Sequence, residues 1–151
     1  MGSVDDAVEI RAHGRRTLAA LHGTLETTLE KALQAEHGLS VVEYTTLDAL
    51  GRQDGRHMRT QQLARATELS GSATTRLVNR LDDRQLLTRV LCKDDRRGIY
   101  TELTGSGRAL LEKARPTYDE ALEKALAEAE QVPELTPLVA ALHNLPQRPG
   151  G

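Results

Sequence analysis

The fold of this chain is decided by residues 60–104, which read TQQLARATELSGSATTRLVNRLDDRQLLTRVLCKDDRRGIYTELT. Their spacing predicts two short helices joined by a tight turn, followed by a two-stranded hairpin with a charged tip. The first helix is predicted to begin at Thr60 and the second at Ser70 or Ser72, because these side-chain oxygens can cap free backbone N–H groups. The predicted strands are 87–92 and 99–103, on either side of a polar turn. Elements of this kind in this order indicate a winged helix-turn-helix.

The second predicted helix has an apolar face and a polar face. The apolar residues recur at helical spacing, and they are Ala73, Leu77, Val78 and Leu81. Hydroxyl, amide and guanidinium groups on the other face are suited to contact base edges in the major groove of double-stranded DNA. Arg76 is the best candidate for a bidentate contact with guanine. The predicted recognition residues are Ser70, Ser72, Thr74, Thr75, Arg76, Asn79 and Arg80.

Contacts with the DNA backbone are predicted at the start of the first helix. Free N–H groups at a helix N-terminus favour phosphate, which assigns Thr60 and Gln61 to this role. Arg80 is assigned to phosphate by its charge.

The composition favours a mainly helical protein and excludes several classes. The 151 residues include three tyrosines but no phenylalanine or tryptophan, so the apolar content comes from leucine, alanine and valine, which favours helices. No apolar run approaches membrane-spanning length, no leader is visible, and a single cysteine excludes an internal disulfide. We therefore expect a soluble, cytoplasmic protein of mostly α class with a small β-wing.

Positive charge is concentrated in the middle of the chain. Residues 52–97 contain eleven arginines and lysines against six acids, whereas the remainder contains nine against sixteen. The net charge is thus +5 in the centre and −7 elsewhere. A basic centre between acidic flanks is typical of a protein that contacts phosphates with one surface only, although an arginine-rich solvated helix would give the same count.

Helices are predicted on both sides of this centre. A long helix from Ser3 to about Glu36 carries a leucine stripe, and a capping box at Ser40 to Glu43 begins a shorter helix that ends near Gly51. After the hairpin, a long helix with a kink near Arg115 is expected, because Pro116 lies inside its periodic pattern. A last helix is predicted to open at 132–133 and to end at Pro146. Residues 146–151, which follow this helix, are predicted to form a disordered tail.

Residues 60–104 resemble the MarR (multiple antibiotic resistance regulator) family of bacterial transcription factors. The residues that carry the resemblance are 63–64, 69–70 and 74–81 in the predicted helices. In the wing they are 95–98, and the wing ends at 103–104. The D-x-R element of the wing, Asp95 and Arg97, is its most specific part. One position departs from the family pattern, since Gln85 stands where a glycine is usual. Glycine there would fit a left-handed helix cap, which glutamine adopts only with strain.

The resemblance implies a single domain in which 40–104 bind DNA and the helices 1–37 and 105–145 form a homodimer. A short strand near 57–59 would join the hairpin in a three-stranded sheet. The wing residues Asp95, Arg96 and Arg97 would contact DNA, with Arg97 in the minor groove and Asp95 orienting it. Family members are usually repressors that small phenolic or anionic ligands release from a pseudo-palindromic operator. The polar residues expected to line such a ligand crevice are His13, Arg16, His22 and Tyr44.

Zinc binding, redox sensing and catalysis are less consistent with the sequence than DNA binding. His22, Glu26 and Glu30 share a helix face that could hold zinc, but a solvated face is the simpler interpretation, and no cofactor is predicted. Cys92 is interpreted as a small apolar strand residue rather than as a redox sensor. No nucleophile–base pair or phosphate-binding loop is present, so an enzyme is not predicted. The rival functions are a winged module that binds protein and a sequence-tolerant DNA-organising protein.

Overall fold

The computed structural model describes residues 4–53, 57–91 and 99–147. In these ranges the chain forms helices and three short strands in the order that the sequence predicts. The helices are α1 (Val4–His37), α2 (Val41–Gly51), α3 (Thr60–Thr67), α4 (Gly71–Asp83), α5 (Gly105–Glu130) and α6 (Thr136–His143). The strands are β1 (His57–Arg59), β2 (Leu87–Leu91) and β3 (Ile99–Leu103). No helix in the described part of the chain combines the length and apolar character needed to cross a membrane.

The capping box predicted between α1 and α2 is confirmed. The Ser40 hydroxyl accepts the backbone N–H of Glu43 at 3.1 Å, and the Glu43 carboxylate accepts the backbone N–H of Ser40 at 2.9 Å. Two donors that the first helical turn would leave unpaired are thereby satisfied. The preceding turn is made by Gly38, whose φ of +63° is a conformation that glycine adopts without strain.

The chain forms two compact units, of which the first comprises residues 33–117. Its core is built from leucines that α2, α3 and α4 contribute at helical spacing. Leu47, Leu63, Leu77 and Leu81 are all essentially inaccessible to solvent. Burial of a leucine side chain stabilises by about 1.5–3 kcal/mol, so these positions fix how α3 and α4 pack in the helix-turn-helix.

The three strands form one antiparallel sheet with the order β1-β3-β2. Leu87 of β2 pairs with Leu103 of β3, and Met58 of β1 pairs with Thr101 of β3. All four residues are buried, so this face of the sheet packs on the helices. The short strand at 57–59 and the three-stranded sheet are therefore confirmed.

The second unit comprises residues 1–32 and 118–151. Its small core joins α1, α5 and α6 through Leu21, Ala129, Leu135 and Val139. α5 continues through Pro116 as one helix. The last helix differs from the prediction at both ends: it begins at Thr136 and its last residue is His143. A turn at residues 131–135 precedes it, in which the N–H of Leu135 bonds to the carbonyl of Val132 at 2.9 Å.

Candidate nucleic-acid interface

α4 is held in place from behind and presents its polar residues outward. Ser70 is the N-cap, and its hydroxyl accepts the backbone N–H of Ala73 at 3.2 Å. Leu77, Val78 and Leu81 are buried, as the apolar pattern predicts. The residues left exposed on α4 include Ser72, Thr75, Arg76, Asn79 and Arg80, and the cap residue Ser70 is exposed beside them.

Two arginines on this face have no acidic partner among the residues that the structure describes. Among the described residues, Arg76 and Arg80 are exposed and form no ion pair, whereas Arg52, Arg84, Arg89 and Arg108 each contact a carboxylate. An unpaired guanidinium has its five N–H donors available for phosphate or for the O6 and N7 atoms of guanine. The local charge of the exposed face is therefore positive despite the net acidity of the chain.

Thr74 does not face outward as predicted. Its side chain is 0% exposed, and its hydroxyl donates to the carbonyl of Ser70 at 2.9 Å. Thr74 lies three residues before Leu77 and four before Val78, so it shares their inward face. Thr75 is the exposed member of the pair; its hydroxyl donates to the carbonyl of Gly71 at 3.0 Å, which leaves an oxygen lone pair outward. Thr74 is therefore a core residue.

The start of α3 also differs in detail from the prediction. The N-cap position is occupied by Arg59, not Thr60, and the backbone N–H of Arg59 donates to the Gln62 side chain at 2.9 Å. Thr60 and Gln61 thus lie in the first helical turn. The Arg59 side chain lies over the ring of Tyr100, 5.4 Å from its centroid, and donates to its hydroxyl at 3.1 Å.

The C-terminal end of α4 is anchored by Arg84, which the sequence did not single out. Its guanidinium donates to the carbonyl of Gly38 at 3.2 Å and to the buried carboxylate of Glu43 at 3.3 Å. Glu43 also completes the capping box of α2 by accepting the backbone N–H of Ser40, so one carboxylate connects the start of α2 to the end of α4. This pairing fixes the direction of α4 relative to α2.

Arg89 is a second residue that sequence reasoning missed. It lies two positions after the buried Leu87 on β2, so its side chain leaves from the same face of the sheet. There it reaches α4 and donates to Asp82 at 3.1 Å and to the side-chain oxygen of Asn79. The strand alternation could have indicated this direction, but not the partner.

The remaining predicted site residues are not brought together in one place by the described contacts. His13, Arg16 and His22 are exposed on α1 in the second unit, where Arg16 pairs with Glu9 at 2.8 Å. Tyr44 is buried in the first unit. The wing-tip residues Asp95, Arg96 and Arg97, together with Cys92, lie outside the described residues. No group of metal-ligating side chains is found in the described ranges.

The sequence of the winged unit matches a known family. Residues 37–98, which span the helix-turn-helix and the wing, match the model of the MarR family. Over these residues the chain is similar in sequence to the MarR family. Members of this family are DNA-binding transcriptional regulators and not enzymes. The winged helix-turn-helix predicted from the sequence is confirmed by α3, α4 and the three-stranded sheet of the structure.

Solved structures of MarR proteins match most of the chain in fold. Sco3205 from Streptomyces coelicolor, solved in complex with DNA, is 23% identical with a TM-score of 0.72, covering 95% of this chain and 86% of Sco3205. AbsC from the same organism is 26% identical with a TM-score of 0.68, and the match covers 96% of this chain and 99% of AbsC. CouR from Rhodococcus jostii RHA1, bound to p-coumaroyl-CoA, is 27% identical with a TM-score of 0.68, covering 84% of each chain. No curated protein matches the chain in sequence.

Proposed function

We propose that this protein is a homodimeric repressor that binds a pseudo-palindromic operator and is released by a small anionic ligand. The observation that carries the proposal is the exposed face of α4. There Arg76 and Arg80 form no ion pair with any residue that the structure describes. A rigid helix with unpaired guanidinium groups and hydroxyls is suited to the major groove. Sco3205, a MarR protein with the same fold, was solved on DNA.

Within this proposal, the residues of α4 divide between base and backbone contacts. Ser72, Thr75, Arg76 and Asn79 are assigned to base edges, and Arg80 is assigned to phosphate. Ser70 caps α4, so its hydroxyl is already engaged with a backbone N–H. The first turn of α3, at Thr60 and Gln61, supplies backbone N–H groups to a second phosphate.

The wing is assigned to the adjacent minor groove. Arg97 would insert there because a narrow groove concentrates negative potential. Asp95 would orient Arg97, and Arg96 would add a phosphate contact.

The proposal of a homodimer is supported by apolar side chains that the single chain leaves in solvent. In the second unit, Val4 is 81% exposed and Ile10 is 71% exposed on α1, and Leu145 beyond α6 is 66% exposed. Leu18, on the predicted leucine stripe, is also exposed, while Leu21 of the same stripe is buried. A partner subunit would cover this surface and place two α4 helices about 34–36 Å apart, one for each half-site.

The proposal of a ligand rests on the family and on the example of CouR, which was solved with an acyl-CoA. A ligand that binds one dimer geometry better than another shifts the population toward that geometry. If the favoured geometry misplaces the two α4 helices, the operator is released. His13, Arg16, His22 and Tyr44 stay candidates for contact with a ligand; the first three are exposed and Tyr44 is buried.

The deciding experiment measures binding to labelled duplex from the region upstream of the protein's own gene, at several salt concentrations. Binding should weaken steeply as salt rises, because Lys and Arg contacts release counterions from DNA. Arg76→Ala should weaken binding roughly 5- to 150-fold and relax base preference at one position of each half-site. The matched control is Lys113→Ala, which removes one exposed positive charge from α5 and should have little effect.

Each rival function predicts a different outcome. A sequence-tolerant DNA-organising protein would bind random duplex as tightly as the upstream duplex. A winged module for protein binding would bind neither duplex with a steep salt dependence. Equal effects of Arg76→Ala and Lys113→Ala would contradict the assignment of α4 as the reading helix.

A further inference from the structure

A strand residue holds the amide of the recognition helix in one orientation. Arg89 of β2 extends from the buried face of the sheet toward α4, where its two terminal nitrogens contact different acceptors. One nitrogen donates to a carboxylate oxygen of Asp82 at 3.1 Å, and the other donates to Oδ1 of Asn79. Asp82 and Asn79 are three residues apart on α4, so they are neighbours on its surface.

The chemistry of the guanidinium decides which end of the Asn79 amide faces it. Arginine carries five N–H donors and no acceptor, and it stays charged at any physiological pH. Only the amide oxygen of Asn79 can satisfy it, and an amide turned the other way would place N–H groups against N–H groups. The Nδ2 donors of Asn79 are therefore directed away from Arg89.

This orientation limits what Asn79 can recognise. Reading adenine with two hydrogen bonds requires an asparagine that accepts from N6 through Oδ1 while it donates to N7 through Nδ2. The bond from Arg89 takes one of the two lone pairs of Oδ1 and holds this atom on the side of β2, so the outward group is the NH₂. An NH₂ group matches the two neighbouring acceptors O6 and N7 of guanine, or O4 of thymine. Adenine offers it only N7, beside an N6 amino group that then lacks an acceptor on Asn79.

We infer that Arg89 is a positioning residue that makes Asn79 a hydrogen-bond donor toward guanine or thymine and disfavours adenine. This inference rests on the proposed function, in which α4 reads base edges. Arg89 acts through Asn79 and does not itself contact the base. Its own charge is balanced by Asp82, which makes it a poorer phosphate ligand than Arg76 or Arg80.

The test is a selection from randomised duplexes with the full-length protein, comparing the bases that each variant enriches. Asn79→Ala should abolish the preference at one position in each half-site, which identifies that position. Arg89→Met removes the donors but keeps the length of the side chain. It should shift the preference at the same position toward adenine, by roughly 3- to 10-fold relative to wild type.

Two further variants separate positioning from charge and from folding. Asn79→Asp leaves Arg89 in place and still offers it an oxygen, but it removes the NH₂ donors, so it should lose the guanine or thymine preference. Asp82→Asn is the matched control: it removes the carboxylate and leaves the Arg89 contact with Asn79, so affinity should rise for all sequences while base preference stays unchanged. Thermal unfolding of each variant shows whether it is folded.

The outcomes distinguish this inference from the proposed function. If wild type enriches no sequence, the proposed function fails and the inference fails with it. If wild type is selective but Arg89→Met keeps its base preference and loses affinity equally for all sequences, Arg89 is a phosphate contact and the inference alone is overturned. In the Asn79→Ala background, Arg89→Met should cause no further change in base preference; a further change would also overturn it.

Discussion

Gln85, at the junction of α4 and β2, is held in a left-handed backbone conformation. Its φ is +61°, and its N–H donates to the carbonyl of Asp82 at 2.8 Å while Leu86 donates to Leu81 at 3.0 Å. This pair of bonds is the Schellman motif that commonly ends a helix, usually with glycine at the left-handed position. The Gln85 carbonyl also accepts the Thr104 hydroxyl at 2.6 Å. Hydrogen bonds to both the N–H and the carbonyl of Gln85 therefore hold its backbone in this conformation.

Replacing Gln85 with glycine should stabilise the protein. The left-handed conformation costs a residue with a Cβ about 1–2 kcal/mol. Glycine removes this cost, but its freedom in the unfolded chain opposes folding by about 0.4–1 kcal/mol. The Gln85 side chain is exposed and forms no hydrogen bond with the described residues, so little else is lost. The expected gain is about 1 kcal/mol, equivalent to a rise in Tm of about 2–4 °C for a chain of this size.

The assay is reversible thermal and urea unfolding of four proteins: wild type, Gln85→Gly, Gln85→Ala and Asp83→Gly. Gln85→Ala keeps the Cβ and should leave the Tm close to that of wild type. Asp83→Gly lies in the last turn of α4 and should lose roughly 0.3 kcal/mol, because glycine is slightly less favourable than aspartate inside a helix. A Gln85→Gly protein that is no more stable than Gln85→Ala would refute the attribution of strain to the Cβ of Gln85.

Three further predictions follow from close packing, burial and exposure. Gly107→Ala should destabilise by about 1–3 kcal/mol because its Cβ would overlap the carbonyl of Leu86, whereas Gly105→Ala, which meets open space, should not destabilise; equal losses on thermal unfolding would contradict this packing. Thr74→Val should cost about 1 kcal/mol of folding free energy and leave DNA affinity unchanged. Thr75→Val should lower DNA affinity roughly 2- to 10-fold with little effect on stability. The reverse pattern in matched unfolding and anisotropy titrations would return Thr74 to the DNA interface. Ile10→Glu combined with Leu18→Glu should shift the protein toward monomer in sedimentation equilibrium, whereas Lys113→Glu should not; an unchanged mass for the double variant would place the subunit interface elsewhere.

The sequence alone determined the order of elements and the inward face of α4. Leu77, Val78 and Leu81 follow the helical period, and the pair Ser40 and Glu43 forms a local cap, so both features depend only on neighbours along the chain. The left-handed turn after α4 was indicated by the resemblance, in which a glycine is usual at this position, and Gln85 adopts it with a φ of +61°.

Tertiary structure decided which side chains of the candidate site are available. Thr74 and Thr75 are adjacent and chemically identical. The helical period places Thr74 on the side of Leu77 and Val78, and packing of that side against the core makes Thr74 inaccessible while Thr75 stays exposed. The contacts of Arg84 with Glu43 and of Arg89 with Asn79 join residues 41 and 10 positions apart. Such pairings depend on how α2, α4 and β2 pack in space. A local sequence pattern shows the direction in which a side chain leaves its own element, but the partner is set by the neighbouring element.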